Sequence, residues 1–130
     1  MTSYPFPAEY RLKKSAEFER VFARRCSQGD GLLIMYVAEN ERPIPRLGLV
    51  VSRKVGNSVV RNRWKRLIRE AFRQTFEGLP AGVDIVCLPR GGAEPSLEGL
   101  SRSLPRLAAR AVKILRSKRS REVHPTEPSP

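Results

Sequence analysis

The chain has 130 residues, of which 25 are lysine or arginine and 13 are aspartate or glutamate, giving a formal net charge of +12. This length fits one domain with a modest core, and so large a positive excess indicates a polyanionic partner, most often nucleic acid. No apolar run approaches the ~20 residues of a membrane span and the amino terminus lacks the apolar core of a signal peptide, so we expect a cytoplasmic protein without a membrane partner.

The first half of the chain predicts an arm, a helix and two strands. Residues 1–10 contain two prolines and no periodicity, which is typical of an extended arm. Ser15 is a candidate N-cap for a first helix. Residues 32–38 and 47–52 are strand-length apolar segments that we expect to pair as a hairpin. The apolar residues at helical spacing in the first helix are Phe18, Val21 and Phe22.

The second half predicts a helix after residue 57, a buried strand at 83–88 and a last helix capped by Ser96. Pro105 falls inside the last helix and should kink or split it. From residue 117 the chain is basic and then proline-rich, so we expect 117–130 to be a disordered tail and 1–116 to form a single domain. This order of elements indicates a small α/β (α+β) sandwich with one sheet and packed helices.

Two cysteines, Cys26 and Cys87, have neither CxxC spacing nor a nearby histidine. We therefore expect no zinc site and no disulfide-linked partner. The only histidine, His124, lies in the predicted tail, and the acidic residues are scattered singly without an Asp-x-Asp pair. General acid–base or metal-dependent catalysis needs such groups to be clustered. The composition therefore favours binding over autonomous catalysis, with no catalytic residue and no tightly bound metal in the protein.

The most informative segment is the helix after residue 57, which either Asn57 or Ser58 can cap. Between residues 61 and 73 it carries six basic residues and one acid, Glu70. At ~100° per residue, one side of the helix is apolar and the other is cationic. The apolar side comprises Val60, Trp64, Leu67, Ile68 and Ala71. The opposite side comprises Arg61, Asn62, Lys65, Arg66, Arg69 and Arg73.

Two interpretations of this cationic row compete. A charged helix side is often only a solvated surface. However, a surface made for solubility mixes both signs, and like charges four residues apart destabilise a helix unless something outside the protein offsets them. A polyphosphate backbone would do so, and Asn62 adds a neutral donor and acceptor among the cations.

The aromatic residues Phe18, Phe22 and Tyr36 are similarly ambiguous. Aromatic side chains at helical or strand spacing are usually core residues. The alternative is a stacking platform for single-stranded RNA, which aromatic rings beside cations commonly bind. Trp64 lies in the middle of the apolar arc and is interpreted as core.

The segment from Ser52 to Glu70, SRKVGNSVVRNRWKRLIRE, closely resembles the signature of the bacterial ribonuclease P protein subunit. The RNRxKRxxR part, which begins at Arg61, is the most specific. The resemblance covers about residues 10–116 and includes Tyr10-Arg-Leu-Lys-Lys14, Phe18, Phe22, Tyr36 and the strand at 83–88. Trp64, in place of a more usual aliphatic residue, and Pro105 are departures from the pattern.

The resemblance implies a two-layer sandwich with a small mixed sheet and a left-handed strand–helix–strand crossover. It implies a cofactor of a catalytic RNA, which removes the 5′ leader of precursor tRNA with Mg²⁺ held mainly by the RNA. The leader-binding cleft would contain Phe18, Phe22 and Tyr36. The RNA-binding residues would be Arg53, Lys54, Arg61, Asn62, Arg63, Lys65, Arg66 and Arg69, to which the cationic row of the helix adds Arg73.

Two other function classes remain open from the residues themselves. A ribosomal or translation-associated protein could use the same cationic row to bind RNA structurally. A duplex DNA-binding module is disfavoured because the basic side is broad and no helix-turn-helix spacing surrounds it.

Overall fold

A four-stranded mixed sheet organises residues 7–123, the part of the chain that the computed structural model describes. The strand order is β1-β2-β4-β3, in which β2 pairs antiparallel with β1 and β4, whereas β3 and β4 are parallel. The expected hairpin of the first two strand segments is therefore wrong, because β4 lies between β2 and β3. The strands are β1 (Ser27–Gly29), β2 (Leu33–Glu39), β3 (Arg46–Leu49) and β4 (Val83–Pro89).

The length and burial of β4 explain this order. It pairs with β2 along its whole length, with Leu33 opposite Pro89 and Glu39 opposite Val83. Six of its seven residues are buried, as is typical of a strand covered on both sides. The shorter β3 is left at the edge and reaches β4 through a helical crossover, the connection that joins parallel strands. This β3–helix–β4 unit is the one for which the resemblance implies a left-handed sense.

Three helices pack on the sheet: α1 (Ser15–Ala23), α2 (Ser58–Thr75) and α3 (Leu97–Val123), with short 3₁₀ turns at Ala8–Tyr10, Arg53–Val55 and Phe76–Gly78. The predicted caps of the last two are confirmed, since Asn57 Oδ1 accepts the Val60 N–H and Ser96 Oγ accepts the Gly99 N–H, each at 3.0 Å. Ser15 is not the cap of α1.

The residue at the cap position of α1 is Lys14, and Ser15 is already helical. The carboxylate of Glu17 stabilises this start because it accepts the backbone N–H groups of Lys13 and Lys14, each at 3.0 Å. These bonds lower the pKa of Glu17 to about 2, with a smaller contribution from Arg46. A side chain in the first turn thus replaces the expected serine cap.

The long α3 differs from the sequence prediction at two places. It is not split at Pro105, where Leu104 and Leu107 on either side are almost completely buried and packing holds the helix. It also continues past residue 117 to Val123, so the first part of the expected disordered tail is helical. The rest of that tail, with His124, lies outside the described residues, as do residues 1–6 of the predicted arm. The end of that arm, Ala8–Tyr10, forms a 3₁₀ turn.

The core has two parts because side chains alternate across the sheet. Leu33, Met35 and Val37 of β2 face α2 and α3, where Trp64 and Phe72 are fully buried in the larger cluster. The predicted core position of Trp64 is therefore confirmed. The smaller cluster lies under α1 and consists of Leu12, Val21, Ala38 and Val86, with Phe18, Phe22, Tyr36 and Leu88 packed against it.

A buried carboxylate on β4 attaches α1 to the sheet. Asp84 has no exposed surface, and Arg46 of β3 donates to both of its oxygens at 2.8 Å. Asn40 donates to the same carboxylate at 2.9 Å, and Arg20 of α1 forms an ion pair with it. Arg46 also donates to Glu17 of α1 at 2.9 Å. One acidic residue in the middle of the sheet thus connects three separate segments.

We expect Asp84→Asn to lower the free energy of unfolding by about 3–5 kcal/mol, because the buried Arg46 loses its main counterion and keeps only the partly exposed Glu17. The measurement is urea denaturation followed by circular dichroism. The matched control is Glu98→Gln, which removes an acid from an exposed pair with Arg102 and should change stability by less than about 0.5 kcal/mol. Equal effects of the two substitutions would contradict a structural role for Asp84.

Candidate nucleic-acid interface

The helix α2 is fixed to the core along one side. Trp64, Ile68, Ala71 and Phe72 are buried on that side. The sequence periodicity predicts the first three of these positions, and Phe72 is an addition. Gly56 makes the entry to the helix possible, since its φ is 156° and a Cβ there would lie 2.8 Å from the Val60 side chain. The opposite side of α2 is therefore held in a fixed orientation toward solvent.

All nine residues predicted to bind RNA lie on α2 outside its buried residues or in the 3₁₀ turn that precedes it, with Arg61 at the border of the buried side, and we name them together the α2 basic surface. Five of them are exposed and four are half-buried. The exposed members are Arg53, Lys54, Asn62, Arg63 and Arg66. The half-buried members are Arg61, Lys65, Arg69 and Arg73.

Acidic neighbours are scarce on this surface. Within residues 7–123, Arg73 is its only member in an ion pair with a carboxylate; Arg73 Nε lies 3.1 Å from Glu70 Oε2. This pairing lowers the pKa of Glu70 and neutralises much of the Arg73 charge. Arg73 is therefore the least suited of the predicted cations to an external anion, a distinction that helical periodicity alone does not make.

Two half-buried arginines of this surface lack full compensation of their charge or hydrogen bonds. Burial, and then the positive charge of Arg11, lower the pKa of Arg69. Arg61 Nε is buried and has no hydrogen-bond partner among the described residues. An anion at this surface would offset the repulsion and supply acceptors, because charge-assisted hydrogen bonds to guanidinium groups are strong.

Arg11 is a member of this neighbourhood that sequence reasoning missed. It precedes α1, far from α2 along the chain, but an isolated bridge pairs it with Leu47 at the β3 edge. This pairing brings it close enough to Arg69 for their charges to interact. No local pattern signals it, because the contact depends on which strand lies at the edge of the sheet.

A second candidate surface lies on the other side of the sheet, beside α1. The rings of Phe22 and Tyr36 meet edge to face with centroids 4.9 Å apart. The Phe18 ring packs over Gly48, where an added Cβ would come within 2.6 Å of it. All three aromatic side chains are half-buried. They are thus part of the smaller core cluster and also contribute to the surface, so the two sequence interpretations are not exclusive.

The same side of the sheet carries aliphatic residues that sequence reasoning did not select. Ile34 and Leu88 are opposite each other in the β2–β4 register, and both are half-buried. Val50, which continues β3 on the side of Gly48, is 36% exposed. We name Phe18, Phe22, Tyr36, Ile34, Leu88 and Val50 the α1 cleft. The alternation of β2 could have identified Ile34, because it lies two residues from Tyr36.

The described residues contain few groups suited to catalysis. Among residues 7–123, no group of three or more histidine, cysteine, aspartate or glutamate side chains could hold a metal ion. Cys26 and Cys87 are buried free thiols, and burial raises the pKa of Cys87 to about 12. No helix in this range has the length and apolar character needed to cross a membrane.

Comparisons with known proteins agree with this arrangement. The family model described as Ribonuclease P matches residues 6–112. The ribonuclease P protein component of Brevibacillus brevis is 42% identical over 107 residues, which cover 81% of this chain and 85% of that protein. The corresponding protein of Clostridium kluyveri is 48% identical over 83 residues, which cover 62% and 74% of the two chains.

Solved structures have the same fold. A mutant RNase P protein of Staphylococcus aureus, described as defective in mRNA degradation activity, superposes with a TM-score of 0.71 at 32% identity, covering 80% of this chain and 89% of that one. The RNase P protein of Thermotoga maritima gives a TM-score of 0.70 at 30% identity, covering 77% and 96%. Since the family match spans most of the sequence, the chain belongs to the ribonuclease P protein family.

Proposed function

We propose that this protein is the protein subunit of ribonuclease P, which binds the catalytic RNA and the 5′ leader of precursor tRNA and assists Mg²⁺-dependent endonucleolytic removal of the leader. The observation that carries the proposal is the α2 basic surface, a row of cations with a single carboxylate partner among residues 7–123, on a helix fixed to the core. The names of its relatives, ribonuclease P protein components, support the same function.

The α2 basic surface suits the backbone of a structured RNA. Arg63 and Arg66 are exposed, and a guanidinium binds phosphate oxygens through two parallel N–H groups. Asn62, which precedes Arg63 and lies one turn before Arg66, could donate to a ribose hydroxyl or accept from it. Because α2 is packed on the core, its backbone is already ordered before RNA binds, so the entropic cost of association falls mainly on the side chains.

The α1 cleft suits a single strand with little sequence preference. Its rings and aliphatic side chains offer apolar contact to unstacked bases, and stacking on aromatic rings tolerates every base. Phe22 and Tyr36 hold each other at a fixed angle, so the platform exists before a ligand arrives. A leader of variable sequence is the ligand that these properties favour.

The carboxylates of residues 7–123 do not fit a protein-held Mg²⁺. Mg²⁺ prefers carboxylate and water oxygens in octahedral geometry. The fully buried Asp84 and the partly buried Glu17, Asp30 and Glu39 are all bonded to arginines, and no suitable cluster exists in this range. The proposal therefore assigns the metal to the RNA and gives the protein no step in the chemistry.

Reconstitution tests the proposal. Purified protein, free of RNA, should not cleave precursor tRNA, since its described residues offer no acid–base pair or metal cluster. Together with its catalytic RNA and Mg²⁺, it should release the 5′ leader at lower salt and lower RNA concentration than the RNA alone requires, and chelation should stop the reaction. Robust cleavage by nuclease-pretreated protein alone would contradict the assignment of catalysis to the RNA.

A second test concerns the α2 basic surface. We expect Arg66→Gln to weaken binding to the catalytic RNA and to make the slope of log K against log salt shallower by about 1, because one phosphate contact is lost. The free energy of unfolding should change by less than about 0.5 kcal/mol. Arg42→Gln removes one charge from the exposed loop after β2 and is the matched control. An unchanged slope for Arg66→Gln would mean that the α2 cations form only a solvated surface.

A third test separates cleft from core. Phe22→Leu keeps an apolar side chain under α1 but removes the flat ring. It should weaken binding of precursor tRNA to the holoenzyme by roughly 1–3 kcal/mol per stacked base, with little effect on mature tRNA, which lacks the leader. Thermal unfolding of the free variant measures the packing contribution. Equal losses for precursor and mature tRNA, together with a lowered Tm, would identify Phe22 as a core residue only.

A further inference from the structure

The outer side of α3 carries a second concentration of positive charge. Residues 102–121 contain eight lysines and arginines and no acid. At ~100° per residue, four of the cations fall within an arc of ~80° that points away from the core, and they extend over ~22 Å of helix. All four are exposed. We name Arg106, Arg110, Lys113 and Arg121 the α3 basic surface.

The helix that carries this surface is anchored on its inner side and at its end. Leu107, Ala111 and Leu115 are buried against the sheet. Beyond Leu115 the helix leaves the core, where Lys118 Nζ donates to the Arg24 carbonyl at 2.7 Å and Arg24 pairs with Glu122 at 2.6 Å. The cations of this segment are therefore presented by an ordered helix.

Internal acids do not balance this charge. Arg106 pairs with Asp30 at 2.9 Å, but Arg110, Lys113 and Arg121 form no ion pair within residues 7–123. Arg106, Arg110 and Lys113 follow one another at spacings of four and three residues, at which like charges destabilise a helix. A solvated surface normally mixes charges of both signs. This arrangement is the one expected of a binding site for a polyanion.

We propose that the α3 basic surface binds the phosphate backbone of a double-helical part of the catalytic RNA, as a contact separate from the α2 basic surface. This inference rests on the proposed function. It concerns residues that the family match, which ends at residue 112, includes only in part. Lys113 and Arg121 lie beyond that match.

The composition of the α3 basic surface favours the phosphate backbone of a duplex as its ligand. No aromatic residue occurs between residues 97 and 123, so bases have nothing to stack on. A straight row of cations can contact the phosphates of an A-form helix, which proteins recognise mainly through backbone and shape. Exposed Ser117 lies in the same arc and can donate to a phosphate oxygen.

The position of α3 favours the catalytic RNA, rather than the leader, as the ligand of this surface. It packs with α2 on one side of the sheet, whereas the α1 cleft is on the other. Its outer side begins beside the β1–β2 turn, where the exposed Arg106 pairs with Asp30 at 2.9 Å, while the α2 basic surface turns toward the β3 edge and Arg11. One large RNA that lies across both helices would contact both surfaces.

The test compares two double variants that remove the same amount of charge. Arg110→Gln with Lys113→Gln alters the proposed site. Arg42→Gln with Arg102→Gln is the control, since Arg42 lies in the loop after β2 and Arg102 is paired with Glu98. Glutamine has a helix propensity close to that of arginine and lysine, so α3 should persist in both, as circular dichroism would verify.

Binding to the catalytic RNA alone is measured over a range of salt concentrations. The Arg110/Lys113 variant should show a slope of log K against log salt shallower by roughly 1.8, at about 0.9 per lost duplex phosphate, and the control should match the unmodified protein. Arg110→Lys, which keeps the charge, should retain most of the slope. A slope equal to that of the control would overturn the proposal.

Precursor tRNA binding to the assembled holoenzyme distinguishes the two RNAs. The Arg110/Lys113 variant, once saturated with catalytic RNA, should bind precursor tRNA as the unmodified protein does. A defect confined to this step would assign the surface to the substrate and overturn the proposal.

If the unmodified protein did not bind the catalytic RNA, the proposed function itself would fail. If Arg66→Gln lost affinity while the α3 variant did not, only the present inference would fail.

Discussion

The carboxylate of Asp84 is the interaction on which the two-sided arrangement of this protein depends. It is fully buried in the central strand, and an isolated buried charge would be very costly, so it requires cations that approach from outside the strand. Arg46 reaches it from β3 and Arg20 from α1. The charge pairing therefore fixes where α1 crosses the sheet. Because α1 is short and held at one end of the sheet, aromatic and aliphatic side chains beside it stay partly uncovered.

The arginines of this chain fall into two groups with different physical roles. Arg20, Arg24 and Arg46 are bonded to carboxylates that tie elements together, namely Asp84, Glu39, Glu122 and Glu17. The cations of the two helix surfaces have few such partners. With 25 cations and 13 acids in the chain, using several acids for internal attachment leaves the outer surfaces of α2 and α3 strongly positive. The net charge is thus concentrated on particular helix sides, where it can interact with a polyanion at short range.

Local sequence patterns predicted the elements better than their arrangement. The apolar arc of α2, the Asn57 cap and the Ser96 cap each depend on residues within a few positions of one another, and all three are confirmed. The β2–β3 hairpin was wrong because strand order depends on β4, which lies more than thirty residues further along the chain. Where the helix continues after residue 117, Lys118 and Glu122 bond to Arg24, which is more than ninety residues away in sequence.

The candidate sites show the same difference between features set by nearby residues and features set by remote ones. Helical periodicity located the cations of α2 but could not show that Glu70 neutralises Arg73, or that Arg11 approaches Arg69 from another element. Sequence spacing likewise left Phe22 and Tyr36 as either core or platform. In the fold, each ring packs against the small cluster on one side and is partly exposed on the other, so a core position does not exclude a binding role.

The position of Arg11 suggests a path for an RNA strand from one side of the sheet to the other. It lies at the β3 edge, where the side of the sheet that carries α2 meets the side that carries the α1 cleft. A strand that leaves the cleft around this edge would pass Arg11 before it reached Arg69, so positive charge would accompany the backbone from one side to the other. The positive charge of Arg11 is, after burial, the second cause of the lowered pKa of Arg69, and a phosphate beside both arginines would offset that repulsion. Under the proposed function, contacts to the leader and contacts to the catalytic RNA would meet at this edge strand, because Arg11 lies where the two sides of the sheet adjoin.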